Sequence, residues 1–71
     1  MHPEVAAAAL HHGQALEQLG ELSGAREALE SSLRIAPGQF PARLLLGSVL
    51  LRLNEAKLAQ DQLEEIGRAH V

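Results

Sequence analysis

Cysteine, tryptophan and tyrosine are all absent, and Phe40 is the one aromatic side chain in 71 residues. Without cysteine there is no disulfide and no thiolate metal site, so neither can brace a chain this short. Without aromatics there is no platform on which bases could stack. The formal net charge is −3 and there is no basic run, whereas nucleic-acid binding rests on neutralising phosphates with Lys and Arg. No long apolar run is present either. "VAAAAL" (residues 5–10) is far too short to span a bilayer and lacks the charged leader and cleavage region of a signal peptide. The compartment is left open, with the cytoplasm as the default expectation. No run of alternating β-branched residues reads as a strand.

What remains is rich in alanine and leucine, a composition that favours helix. Three prolines and six glycines punctuate it. A first helix is expected from Pro3-Glu4, since proline suits the first turn and an acid there meets the positive end of the dipole. Its apolar stripe is Ala6, Ala9, Leu10, Gly13, Leu16 and Leu19, at three-and-four spacing. Gly20 suits the left-handed residue that ends it. A second helix is expected from Leu22 to Ala36, with Leu22, Ala25, Leu29 and Leu33 on the apolar face, Ala28 and Ile35 flanking it, and Pro37-Gly38 as the stop. A third opens at Pro41 and presents a core face of Leu46, Gly47, Leu50 and Leu53. Asn54 stands where Gly20 stood, and asparagine is the next-best left-handed residue. A fourth helix is therefore expected from Glu55, carrying Ala56, Ala59 and Leu63.

A shift of the chain by 34 positions (44 − 10) brings like onto like. Ala8 meets Ala42, Leu10 meets Leu44, Gly13 meets Gly47 and Leu16 meets Leu50. Leu19 meets Leu53, Glu21 meets Glu55, Ala25 meets Ala59, Leu29 meets Leu63 and Glu30 meets Glu64. The small residues let helix backbones approach, and the large ones fill what remains.

A helix–turn–helix unit of this period resembles the tetratricopeptide repeat. "LHHGQAL" (10–16) and "LLLGSVL" (44–50) are similar to the Leu-Gly-x-x-Tyr region of that family's first helix. His12 departs from the usual Leu, and Leu16 and Leu50 replace the Tyr. Ala25 and Ala59 match the small residue where the two helices cross, Leu29 and Leu63 the large one beyond it, and Pro37 the closing proline. Ser32 replaces a small Ala, and the family's aromatic at the start of the first helix is missing, with Ala9 and Arg43 there instead. The resemblance implies an all-α fold of two stacked hairpins, a fragment of a right-handed solenoid. Residues 1–5 form a lead-in, 6–39 repeat one and 40–65 a truncated repeat two. Such arrays are held by nearest-neighbour stacking, so the isolated chain is expected to be marginally stable.

Past residue 65 the internal match collapses: Leu33 faces Gly67, Ile35 faces Ala69 and Pro37 faces Val71. Back-translated, Ile-Gly-Arg-Ala-His-Val-stop can be written ATC GGA AGA GCA CAC GTC TGA. This is the read-through of a widely used sequencing adapter. Residues 66–71 are accordingly expected to be adapter translation, with the natural chain continuing beyond Glu65.

Chemistry-bearing constellations are scarce. His11 and His12 are adjacent and so point apart on a helix, whereas a helical metal pair needs three-or-four spacing. No Gly-rich phosphate loop is present, and Ser23, Ser31, Ser32 and Ser48 have no His/Asp arrangement around them. No cofactor, metal or catalytic residue is expected within these residues. The resemblance implies instead a concave groove lined by the first helix of each repeat. Its candidate residues are Leu10, Gln14, Glu17 and Gln18 in repeat one, and Leu44, Ser48, Leu51 and Arg52 in repeat two. The carboxylate-clamp version of such grooves uses Lys and Asn where this chain has Leu10, Gln14, Leu44 and Ser48, which argues against a receptor for chaperone tails. Leu44 and Leu51, seven apart, share an apolar stripe off the core face, and such a stripe needs a cover. A protein, a peptide or a neighbouring repeat is the partner expected, not nucleic acid and not a membrane. The function expected is a protein–protein interaction scaffold. The alternatives are repeats attached to a glycosyl- or sulfotransferase, or to a polysaccharide-export or secretion assembly.

Overall fold

The computed structural model describes the backbone of residues 3–69 and the side chains of residues 4–64. It contains three helices, α1 (Pro3–Gln18), α2 (Leu22–Ile35) and α3 (Phe40–Ala69), and no strand among the described residues. α2 packs along both neighbours, while α1 and α3 touch only slightly. The molecule measures 57 × 19 × 14 Å. Its length comes from α3, since a 30-residue helix runs about 45 Å at 1.5 Å per residue.

The first hairpin follows the sequence pattern closely. Gly20 has φ +80°, a conformation that costs a residue with a Cβ far more than it costs glycine. The Gly20 amide donates to the Glu17 carbonyl (3.0 Å) and the Glu21 amide to the Leu16 carbonyl (2.9 Å). This pair of bonds is the Schellman arrangement, which satisfies carbonyls that the helix end would otherwise leave free. Leu19 lies beyond the last turn of α1 and is 76% exposed, so the expected apolar stripe ends at Leu16. Across the hairpin Gly13 is buried against α2: a Cβ placed there would lie 2.8 Å from Leu29 Cγ and 3.6 Å from the Ala25 carbonyl oxygen. The absence of that Cβ is what allows Leu29 to be fully buried. Burying a leucine contributes roughly 1.5–3 kcal/mol.

Ala25, Leu29, Ala42 and Val49 form the core, with Leu10, Leu16, Leu22, Leu33, Leu45, Leu46 and Leu53 packed against it. Ser32 is buried with them. Its hydroxyl donates to the Ala6 carbonyl (2.8 Å) and accepts from Gln39 Nε2 (2.8 Å). Gln39 Nε2 also donates to the Ser32 carbonyl (3.0 Å), near the end of α2. The hydroxyl that replaces the family's alanine thus joins α1, α2 and the loop into α3. At the same corner the Arg43 guanidinium donates twice to the Pro37 carbonyl (Nε 3.1 Å, Nη2 2.9 Å), holding the Pro37-Gly38 turn against the first turn of α3.

The second half of the chain departs from expectation. No break occurs at Asn54: α3 runs through it, and among the described residues no non-glycine side chain has positive φ. There is therefore no separate fourth helix. The reason is local. From Ser48 to Glu64 there is no glycine or proline, and "EAKLAQDQLE" is built almost wholly of good helix formers. A left-handed asparagine costs more than a left-handed glycine, and the small side chains of Ala56 and Ala59 offer little burial in return. Every described side chain from Asn54 to Glu64 is consequently exposed. The core face of α3 also differs from the one expected. Ala42 and Val49 are the buried residues, whereas Leu50 is 46% exposed and nothing lies within 4 Å of a Cβ built on Gly47. The face that α3 turns to α2 is the one that stacks on the preceding hairpin. Gly47 and Leu50 lie on the side where a folded-back helix would sit, and so do not reach the core.

Candidate functional site

The expected groove residues divide into two groups in space. On α1, Leu10 is half-buried against the core, so it is a packing residue as much as a surface one. Gln14 is exposed with its Oε1 3.2 Å from His11 Nδ1, and Gln18 is exposed one turn further on. Glu17 is only 24% exposed at its side chain and is ion-paired with Arg52 of α3. The structure therefore brings Glu17 and Arg52 together, from two helices that otherwise touch only slightly. This pair ties α1 to α3. Being partly solvated, it contributes at most about 1 kcal/mol.

On α3, Leu44 is 61% and Leu51 59% exposed, with Ser48 exposed between them. Two further residues belong to this stripe, Phe40 and Leu58, both more than half exposed. Their spacing could have revealed them: 40, 44, 47, 51, 54 and 58 alternate steps of four and three, which keeps them on one side of a helix. The expected turn at Asn54 hid this, because it assigned Leu58 to another helix. The stripe lies on the opposite side of α3 from Val49, away from α2. The row is contiguous and exposed, which sets it apart from leucines scattered singly over a surface.

The remaining motif positions follow the same division. Gly13, Leu16, Gly20, Ala25 and Leu29 are engaged in the first hairpin, and Pro37 stands exposed in the α2–α3 turn. Gly47, Leu50, Ala59 and Leu63 have no packing partner of the kind their counterparts have, and Leu63 is 69% exposed. The solvent side of α2 holds a shallow depression lined by Arg26, Glu27, Glu30, Ser31 and Arg34. Its charges are engaged along the helix itself, Arg26 with Glu30 at 3.4 Å and Arg34 with the Ser31 hydroxyl at 2.9 Å. This is a solvated helix face rather than a site. Among the described residues no group of three or more His, Asp or Glu side chains comes together, and no helix is long and apolar enough to cross a membrane.

The expectation that residues 66–71 are foreign to the repeat concerns side chains outside the described residues. The family model described as tetratricopeptide repeat matches residues 16–71, well over half of the chain. No curated protein and no solved structure matched. The all-helical architecture, the hairpin closed by Gly13 against Leu29, and this match agree: the chain belongs to the tetratricopeptide repeat family, whose general role is to mediate protein–protein interaction.

Proposed function

We propose that this chain acts as an interaction scaffold whose binding face is built from the first helices of its two repeats. Leu44 and Leu51 on α3 supply the apolar strip, and the Glu17–Arg52 pair sets its edge toward α1. Gln14 and Gln18 extend it as polar rim, and Leu10 closes its floor. Residues 6–39 form the first repeat, and residues 40–65 are read as a second whose closing helix continues α3. The observation that carries the reading is the exposure of Leu44 and Leu51 on the side of α3 that the hairpin leaves free. A leucine pair one heptad apart suits the apolar face of a peptide helix, which anchors through residues at three, four and seven spacing.

The test uses a displayed library of amphipathic helical peptides, selected first on the wild-type chain. Each selected peptide is then measured against Leu44→Lys, Leu51→Lys and the double variant, with circular dichroism confirming unchanged helix content. Affinity losses of tenfold or more for the double variant are expected, since a lysine in each slot removes the apolar contact and leaves a charge to desolvate. Peptides that bind the double variant as well as the wild type would place the binding face elsewhere.

A further inference from the structure

We draw no further inference here: the strongest candidate, the exposed apolar row of Phe40, Leu44, Leu51 and Leu58 along the free side of α3, is an unpartnered helix face, and nothing in the structure shows what covers it.

Discussion

Gly13 and Gly47 correspond under the 34-residue shift, yet Gly47→Ala is expected to stabilise the chain and Gly13→Ala to leave it no more stable or to destabilise it. Both sit inside helices, so each substitution gains about 1 kcal/mol of helix propensity. At Gly13 the new methyl lands 2.8 Å from Leu29 Cγ and 2.9 Å from Leu29 Cδ2. Leu29 is fully buried and has no free space to swing into. Overpacking of this kind costs about 1–3 kcal/mol, which offsets or exceeds the propensity gain. At Gly47 the methyl meets nothing within 4 Å, so only the gain is left. The propensity terms cancel in the comparison, and the two variants should differ by about 1–3 kcal/mol, the overpacking cost alone. In a domain this small each kcal/mol corresponds to about 4–8 °C in melting temperature. The assay is a pair of thermal and urea melts followed by circular dichroism, at a dilution where the chain is monomeric. If Gly47→Ala destabilises as much as Gly13→Ala, a helix lies over Gly47 in the monomer. The straight course of α3 would then be refuted.

Two further perturbations test the corner and the overhang. Ser32→Ala removes the hydroxyl that bonds both the Ala6 carbonyl and Gln39; the Ala6 carbonyl keeps its partner within α1 and Gln39 keeps its backbone acceptors, so the loss should be about 0.5–1.5 kcal/mol. A double-mutant cycle with Gln39→Ala should show a coupling of at least about 0.5 kcal/mol, and additivity would mean the two side chains act apart. Amide exchange should be fastest in residues 55–64 of the monomer, because a helix with no packed face opens locally at little cost. Protection there equal to that of Ala25–Leu29 would show that this stretch is covered.

The first hairpin was legible in the sequence because its signals are of the kind that act locally. Gly20 ends α1 through its own backbone freedom, Pro37-Gly38 ends α2, and the Gly13, Ala25 and Leu29 triplet states which surfaces approach. The second half was not legible in the same way, although it carries the same letters. Gly47, Ala59 and Leu63 repeat the triplet, but a packing signal acts only if the chain first turns to bring its parts together. At Asn54 the turn depends on an asparagine adopting a conformation that glycine adopts freely. Among the described residues nothing rewards the bend, and helix propensity carries α3 onward. The Ser32–Gln39 relay was invisible for another reason. A serine in place of alanine reads as a neutral change until its hydroxyl is placed among the carbonyls of three segments.

The misplaced turn also has a consequence for function, because it divides one surface into two. Read as two helices, residues 40–58 present a leucine pair on one and an unrelated Leu58 on the other. Read as one, they present a single seam from Phe40 to Leu58. Whether a repeat protein binds a short peptide or a long helix depends on how far an uninterrupted strip extends, and that is decided at Asn54. Replacing Asn54 by glycine is the most direct way to move the balance. Glycine lowers the cost of the left-handed turn and weakens the straight helix by a few tenths of a kcal/mol relative to asparagine. If the fold-back and the straight helix are close in energy, the variant should shield residues 47 and 50, read as slower thiol labelling of Leu50→Cys in the Asn54→Gly background. If the straight helix is favoured by several kcal/mol, Leu50→Cys should label as fast as in the parent.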